Sequence, residues 1–327
     1  MTDVGHLANV SYETVSRVLH GHPGVKPATR ARVLSAIEQL GYKPNTAARA
    51  LVTGKSRTLG IVVIDTPDWS SLSTLYGIER GARSLDYYTS VVSLDMHKSS
   101  IREATDHLIE QSVAGVLVIA PIDIANDALA EFPETLPVVA IEGDPAAKIC
   151  VVMVDQVAGA RAATEHLLDA RHETVFHLAG PLDWRQSRER ITGWREALEA
   201  AGAEVTKPIS GDWSARSGYE IGRTLARIPD MTAIFVANDQ MALGLMRALG
   251  ERGRRVPEDV SLVGFDDIPE AAYFSPPLTT VHQDFAEVGR ASLELLLKQI
   301  DSGTQSDEHR VIRAELIVRQ SSGPPPG

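Results

Sequence analysis

Between residues 10 and 19 the chain sets Ser11, Tyr12, Thr14, Ser16 and Arg17 at helical spacing against Val15, Val18 and Leu19. If the apolar three face a core, one guanidinium and a row of hydroxyls share the solvent side. Such groups suit the edge of a DNA major groove. Arg17 can take guanine through two parallel hydrogen bonds, Tyr12 offers a ring edge and a hydroxyl, and Glu13 can accept from cytosine while repelling phosphate. An ordinary solvated helix would use the same residue types, so the reading needs support from its surroundings. Charge supplies some of it. Met1–Arg57 holds eight Lys/Arg against Asp3, Glu13 and Glu38, a balance of +5, while the whole chain carries −11, which leaves −16 for the remainder. A basic head on an acidic body touches phosphates with one end only.

Other chemistries lack their residues. No two glycines are separated by a single residue, so the dinucleotide fingerprint cannot occur. Gly54-Lys55-Ser56 imitates the end of a phosphate loop, but Arg49 stands where the first glycine belongs and no strand precedes it. No serine has glycines two positions to either side, so a nucleophile elbow is absent. Asp65, Asp266 and Asp267 have no His or third acid beside them in sequence and make a weak metal signal. The single cysteine, Cys150, lies in an apolar run and reads as a buried thiol, which excludes a disulfide or thiolate-metal framework. No cofactor, no metal and no catalytic residue is expected.

The elements that must position these groups follow from periodicity. Val4, Leu7 and Ala8, then Val15, Val18 and Leu19, then Val33, Ile37 and Leu40 recur at helical spacing. Val10-Ser11 separates the first two sets as a tight turn ending in a Ser N-cap, Pro27 opens a third helix, and Gly41 closes it. A helix-turn-helix within a three-helix head is predicted over residues 1–44. Residues 45–57 contain a helix-capable piece with too little apolar surface to fold alone. From residue 58 the grammar changes. Apolar β-rich runs at 59–64, 90–94, 115–120, 137–141, 151–154, 174–178, 233–237 and 260–264 alternate with amphipathic stretches, predicting a parallel α/β body in two lobes to residue 321. Residues 322–327, Ser-Gly-Pro-Pro-Pro-Gly, read as a disordered tail. No apolar run is long enough to cross a bilayer and the N-terminus lacks a signal-peptide pattern, so no membrane partner and a cytoplasmic location are expected.

The run 10–19, the stretch 44–61 and the phrases Leu178-Ala179-Gly180-Pro181, Gly193-Trp194, Gly211-Asp212-Trp213-Ser214, 237–244, 263–267 and 277–285 together resemble the LacI/GalR family of bacterial repressors over nearly the whole chain. The resemblance implies a head, a hinge helix and a two-lobed periplasmic-binding-protein-like body. It implies operator DNA as partner, read by Tyr12, Glu13 and Arg17, with Glu13 departing from the family's Gln. It also implies a hinge in which Asn45, Ala48 and Leu51 meet the minor groove, Leu51 as a wedge between base pairs. In the body it implies a small saccharide effector, first a β-galactoside. Trp213 would be the platform for a pyranose ring, Arg190, Asn238 and Asp266 the hydroxyl-binding groups, and Gln283 and Phe285 the crossover to the first lobe. Glu142 stands one methylene longer than the family's Asp, and Asp68-Trp69-Ser70-Ser71 replaces apolar residues, so the ligand cannot be copied across. The chain starts inside the expected first helix, which leaves open a natural start upstream, and it ends without a leucine-heptad tail, so a homodimer is expected. A purine co-repressor, an exported sugar-binding protein and an enzyme are the alternatives.

Overall fold

The computed structural model describes residues 1–19, 21–42, 56–64, 69–94, 101–119, 132–143, 146 and 148–327. The hinge residues Asn45, Ala48 and Leu51, and Asp65 and Asp68, lie outside them. The chain divides into two compact units, Met1–Arg57 and Thr58–Gly327.

In the first unit, α1 (Thr2–Ala8), α2 (Tyr12–Leu19) and α3 (Pro27–Gln39) enclose Val4, Ala8, Val15, Val18, Val33 and Ala36. The turn between α1 and α2 depends on close approach. A Cβ on Gly5 would sit 2.9 Å from the Val10 carbonyl oxygen, and Asn9 takes the left-handed conformation that ends α1. Ser11 starts α2 by accepting from the Thr14 N–H at 3.3 Å. Pro27 opens α3 and Gly41, at φ 56°, follows it. Leu7 and Leu40 stay about half exposed, so the small core closes on fewer of the periodic residues than the spacing offered.

The second unit holds two six-stranded sheets among the described residues. The first lobe orders its strands β11-β5-β4-β3-β1-β2: β1 (Thr58–Ile64), β2 (Tyr88–Leu94), β3 (Gly115–Ile119), β4 (Val138–Ile141), β5 (Cys150–Val154) and β11 (His309–Ile312). The second orders β12-β10-β9-β8-β6-β7: β6 (Phe176–Ala179), β7 (Ile209–Ser210), β8 (Ala233–Val236), β9 (Ser261–Asp266), β10 (Thr279–Gln283) and β12 (Ala314–Ile317). All pairings are parallel except β10 with β12. Continuous burial along β3, β4, β5, β8 and β9 is what a parallel strand covered on both faces requires, and it explains the unbroken apolar runs.

Helices α4 (Trp69–Ser84), α5 (Ile101–Glu110) and α10 (Phe285–Ser302) pack on the first sheet, and α6 (Gln156–Asp169), α7 (Arg185–Ala201), α8 (Ala215–Leu225) and α9 (Asp239–Glu251) belong to the second lobe. The chain crosses between lobes where β5 leads into α6, where β10 leads into α10, and where β11 leads into β12. These crossings put the C-terminal ends of several strands around one cleft, where open α/β sheets hold ligands.

The expected disordered tail is corrected at its start. The Ser322 hydroxyl meets His166 Nε2 at 2.8 Å and Thr279 Oγ1 at 3.0 Å. The Gly323 N–H donates to Ser261 Oγ, and its carbonyl accepts from the Ser261 hydroxyl and meets His172 Nε2. Composition suggested a loose end, yet small polar residues let the backbone lie against the sheet edge and spend its hydrogen-bonding groups there.

Candidate functional site

In the head, Ser11, Tyr12, Glu13 and Arg17 are exposed and Thr14 and Ser16 are partly so, while Val15 and Val18 are buried. Tyr12 is 52% exposed, far more than a ring serving the core would be. All six are thus at least partly open to solvent, Ser11 just ahead of α2 and the other five on it.

In the body, a cavity in the cleft is lined by Ser70, Ser71 and Thr74 of α4, by Ile141 and Glu142 at the end of β4, by Gln156, Gln186 and Arg190 of the second lobe, and by Gln283, Phe285 and Val288 at a crossover. Glu142, Arg190, Gln283 and Phe285, expected from sequence to share a site, do line it. Asp266 joins through its neighbours: Gln283 Nε2 donates to its carboxylate at 2.7 Å and Arg190 stands 3.6 Å from it. Trp213 and Asn238 do not line this cavity. Asn238 caps α9 through the Met241 N–H and donates to the Trp213 carbonyl, so its amide holds the tryptophan turn. The Trp213 ring lies so close over Gly180 that a Cβ there would fall 2.1 Å from a ring carbon, and its Nε1 is buried without a partner among the described residues.

Sequence reasoning missed Gln156, which completes a closed circuit. Arg190 Nε donates to Gln156 Oε1 at 2.9 Å, Gln156 Nε2 donates to Gln283 Oε1 at 2.9 Å, and Gln283 donates to Asp266 beside Arg190. Arg190 also donates to the Ala237 carbonyl, and its guanidinium carbon lies over Phe265, 3.8 Å from the ring centroid. Only its place at the start of α6, directly after a crossover, hinted at Gln156. Gln186 was missed too; its Oε1 is buried in the cavity wall with no hydrogen-bond partner among the described residues. Asp239, on α9, is fully buried and accepts from Thr280 Oγ1 at 2.6 Å and the Ile268 N–H at 3.0 Å, fixing the segment after Asp266.

The electrostatics follow from burial. Desolvation pushes the Glu142 carboxyl up to about 7, although the Val154 N–H donating to its Oε1 at 2.8 Å works the other way. Burial, with Asp266 nearby, pushes Asp239 well above the usual carboxylate range, and burial lowers Arg190 against the pull of Asp266 and Glu142. Glu142, Trp213, Asp266 and Asp267 all adopt positive φ without being glycine, a cost that surrounding structure must offset and that concentrates at binding sites. Among the described residues no group of His, Cys, Asp and Glu is placed to hold a metal ion, and no helix is long and apolar enough to cross a membrane.

The head and the later part of the body match two family descriptions. Residues 1–45 match "Bacterial regulatory proteins, lacI family", and residues 164–322 match "Periplasmic binding protein-like domain". The regulator CelR of Thermobifida fusca is 35% identical over 97% of this chain and 96% of its own length.

The chain belongs to the LacI family.

Two other relatives are the HTH-type transcriptional repressor PurR of Haemophilus influenzae, 33% identical over 98% of this chain and 97% of its own, and the lactose operon repressor of Escherichia coli, 32% identical over 98% and 89%. Among solved structures, the Lac repressor dimer bound to operator and the anti-inducer ONPF superposes with a TM-score of 0.89 at 30% identity, covering 98% of both chains. A CelR-cellobiose complex superposes at 0.74 with 32% identity and the same coverage. As a LacI-family member the protein is a DNA-binding transcriptional repressor, with a helix-turn-helix head and a two-lobed α/β body. These relatives are named as regulators, not enzymes.

Proposed function

We propose that the protein represses transcription from an operator read by Ser11, Tyr12, Glu13, Thr14, Ser16 and Arg17, and that a small saccharide in the interlobe cavity releases it. The observation that carries the effector reading is the cavity's polar lining. Gln186 presents a buried acceptor that finds no donor among the described residues, Glu142 and Gln283 stand close by, and Arg190 and the serines of α4 supply donors. Hydroxyl groups donate and accept at once and suit such a mixed wall, with Phe285 as the apolar contact. A β-galactoside is the first candidate, after the lactose operon repressor, and cellobiose the second, after the CelR complex. PurR's similarity keeps a purine co-repressor as the second reading.

A homodimer through the edge of the first lobe fits the exposed apolar groups there. Tyr88 and Val91 stand on the edge strand β2, and Leu72 and Tyr76 on the neighbouring α4, all more than two-fifths exposed. The hinge roles of Asn45, Ala48 and Leu51 belong to the same proposal. Thermal melting with lactose, cellobiose, other sugars and purines tests the effector class, because a ligand that binds the folded form raises the melting temperature by mass action. A rise with a saccharide supports the proposal; a rise with purines alone replaces it with co-repression.

A further inference from the structure

Away from the crossovers, side chains reach from each lobe into the other. Trp184, the residue before α7, is 8% exposed and joins the first lobe's cluster of Val62, Leu94, Val118 and Phe132. In the opposite direction Trp69, at the start of α4, packs against the second lobe's cluster. Trp213 packs against both clusters, its ring edge-on to Trp184 at 5.8 Å between centroids.

Beside Trp184, the Arg185 guanidinium crosses the same boundary. It donates to the Gly143 carbonyl just past β4 and lies 3.8 Å from the sulfur of Met153 in β5. Glu189, one turn along α7, holds it at 2.7 Å, and the pair is mostly shielded from solvent. The contact stands at the cavity itself: Glu142 precedes Gly143, Gln186 follows Arg185, and both line the cavity. Apolar contacts of this kind have no preferred direction, whereas a charged donor on one carbonyl fixes a single closed arrangement.

We propose that Arg185, with Trp184 and Trp69, forms a clasp that holds the two lobes closed over the cavity and so sets how tightly the effector is retained. Arg185 acts as a positioning residue. The lobe-closing part stands on this structure alone, and the effector part rests on the saccharide reading above. A charged hydrogen bond of this sort favours the closed arrangement about tenfold.

The test uses the full chain with fluorinated tryptophan, whose four positions are Trp69, Trp184, Trp194 and Trp213. Fluorine resonances are recorded with a soluble paramagnetic agent and no ligand. Trp194 is fully buried in the second lobe and donates to the Val175 carbonyl, so it reports folding. In the unaltered protein the Trp184 line should be protected. Arg185→Met should expose Trp184 and Trp69 to the agent while Trp194 stays protected, and Arg185→Lys should restore part of the protection. Arg216→Met, which breaks an exposed Arg–Glu pair of the same spacing on α8, should change none of the lines. Equal protection of Trp184 with Arg and with Met at position 185 would overturn the clasp. Loss of protection at Trp194 together with the others, with no recovery by Lys, would show a merely structural role. A second arm measures lactose and cellobiose affinity, where Arg185→Met should bind about tenfold more weakly. If the clasp opens but affinity is unchanged, its control of the effector is wrong. If neither sugar binds the unaltered protein, the saccharide reading fails and the fluorine result still decides the clasp.

Discussion

The head and the cavity spend their polar groups in opposite ways. On α2, Tyr12, Glu13 and Arg17 face solvent, and what they do depends on a partner that supplies the matching groups. In the cavity, Arg190, Gln156, Gln283 and Asp266 are already bonded to one another, so a ligand must join or rearrange a circuit the protein keeps closed by itself. The difference predicts where a substitution is felt. Changes on α2 should alter DNA binding and leave folding intact; changes in the circuit should alter stability and effector response together.

The largest effect is expected at Arg190. Arg190→Met removes the buried cation and leaves Asp266 and the Gln156 carbonyl short of a donor, which should destabilise the body by about 3–5 kcal/mol in urea unfolding. A loss below 1 kcal/mol would mean that the circuit adds little and that cavity and head differ less than the hydrogen bonds imply.

Next comes Arg17. Arg17→Ala should lose about 1–3 kcal/mol of specific operator binding while weak, salt-sensitive binding persists, with the melting of both units unchanged. Footprinting at fixed salt checks it, and unchanged protection would remove Arg17 from the reading face.

The smallest effect concerns pH. The folded form holds the Glu142 proton up to about 7, whereas an unfolded chain releases it near the ordinary glutamate value of 4.5. Ionising this group therefore costs stability, and the cost accumulates as pH rises from about 4.5 to 7. Glu142→Gln keeps an acceptor for the Val154 N–H and carries no charge. Relative to that variant, the unaltered protein should lose melting temperature progressively between pH 5 and pH 8, most of it below about pH 7. Parallel melting curves across that range would show that the carboxyl is not held neutral.

Sequence made the head legible because everything that defines it is local. Three apolar triplets, Pro27, Gly41 and the Ser11 cap lie within a turn or two of the groups they position. The parallel body was legible in its central strands, whose burial on both faces leaves unbroken apolar runs. The edge strands were not: β7 has two residues, β11 alternates exposed with partly buried positions, and β12 pairs antiparallel at the margin of its sheet. In the cavity, Arg190, Asp266 and Gln283 were reached through family resemblance. Gln156 and the Arg185 contact were not, because Gln156 meets Gln283 across 127 positions and Arg185 meets Gly143 across 42. Nothing local marks a glutamine whose partner is that far along the chain. The tail was misread for a related reason, since Ser322 and Gly323 gain their order from His166, His172 and Ser261.

Release from DNA by a ligand in the cleft is the central claim, and Asp266 tests it most directly, because it belongs to the body and joins the circuit at the end of β9. An operator duplex selected from a random pool is bound by the protein and titrated with whichever saccharide raised the melting temperature. The unaltered protein should release the duplex as the saccharide saturates. Asp266→Asn should bind the duplex without ligand but need about ten- to hundred-fold more saccharide to let go, the equivalent of about 1.5–3 kcal/mol for charged hydrogen bonds. Release of the variant at the same saccharide concentration as the unaltered protein would contradict the account.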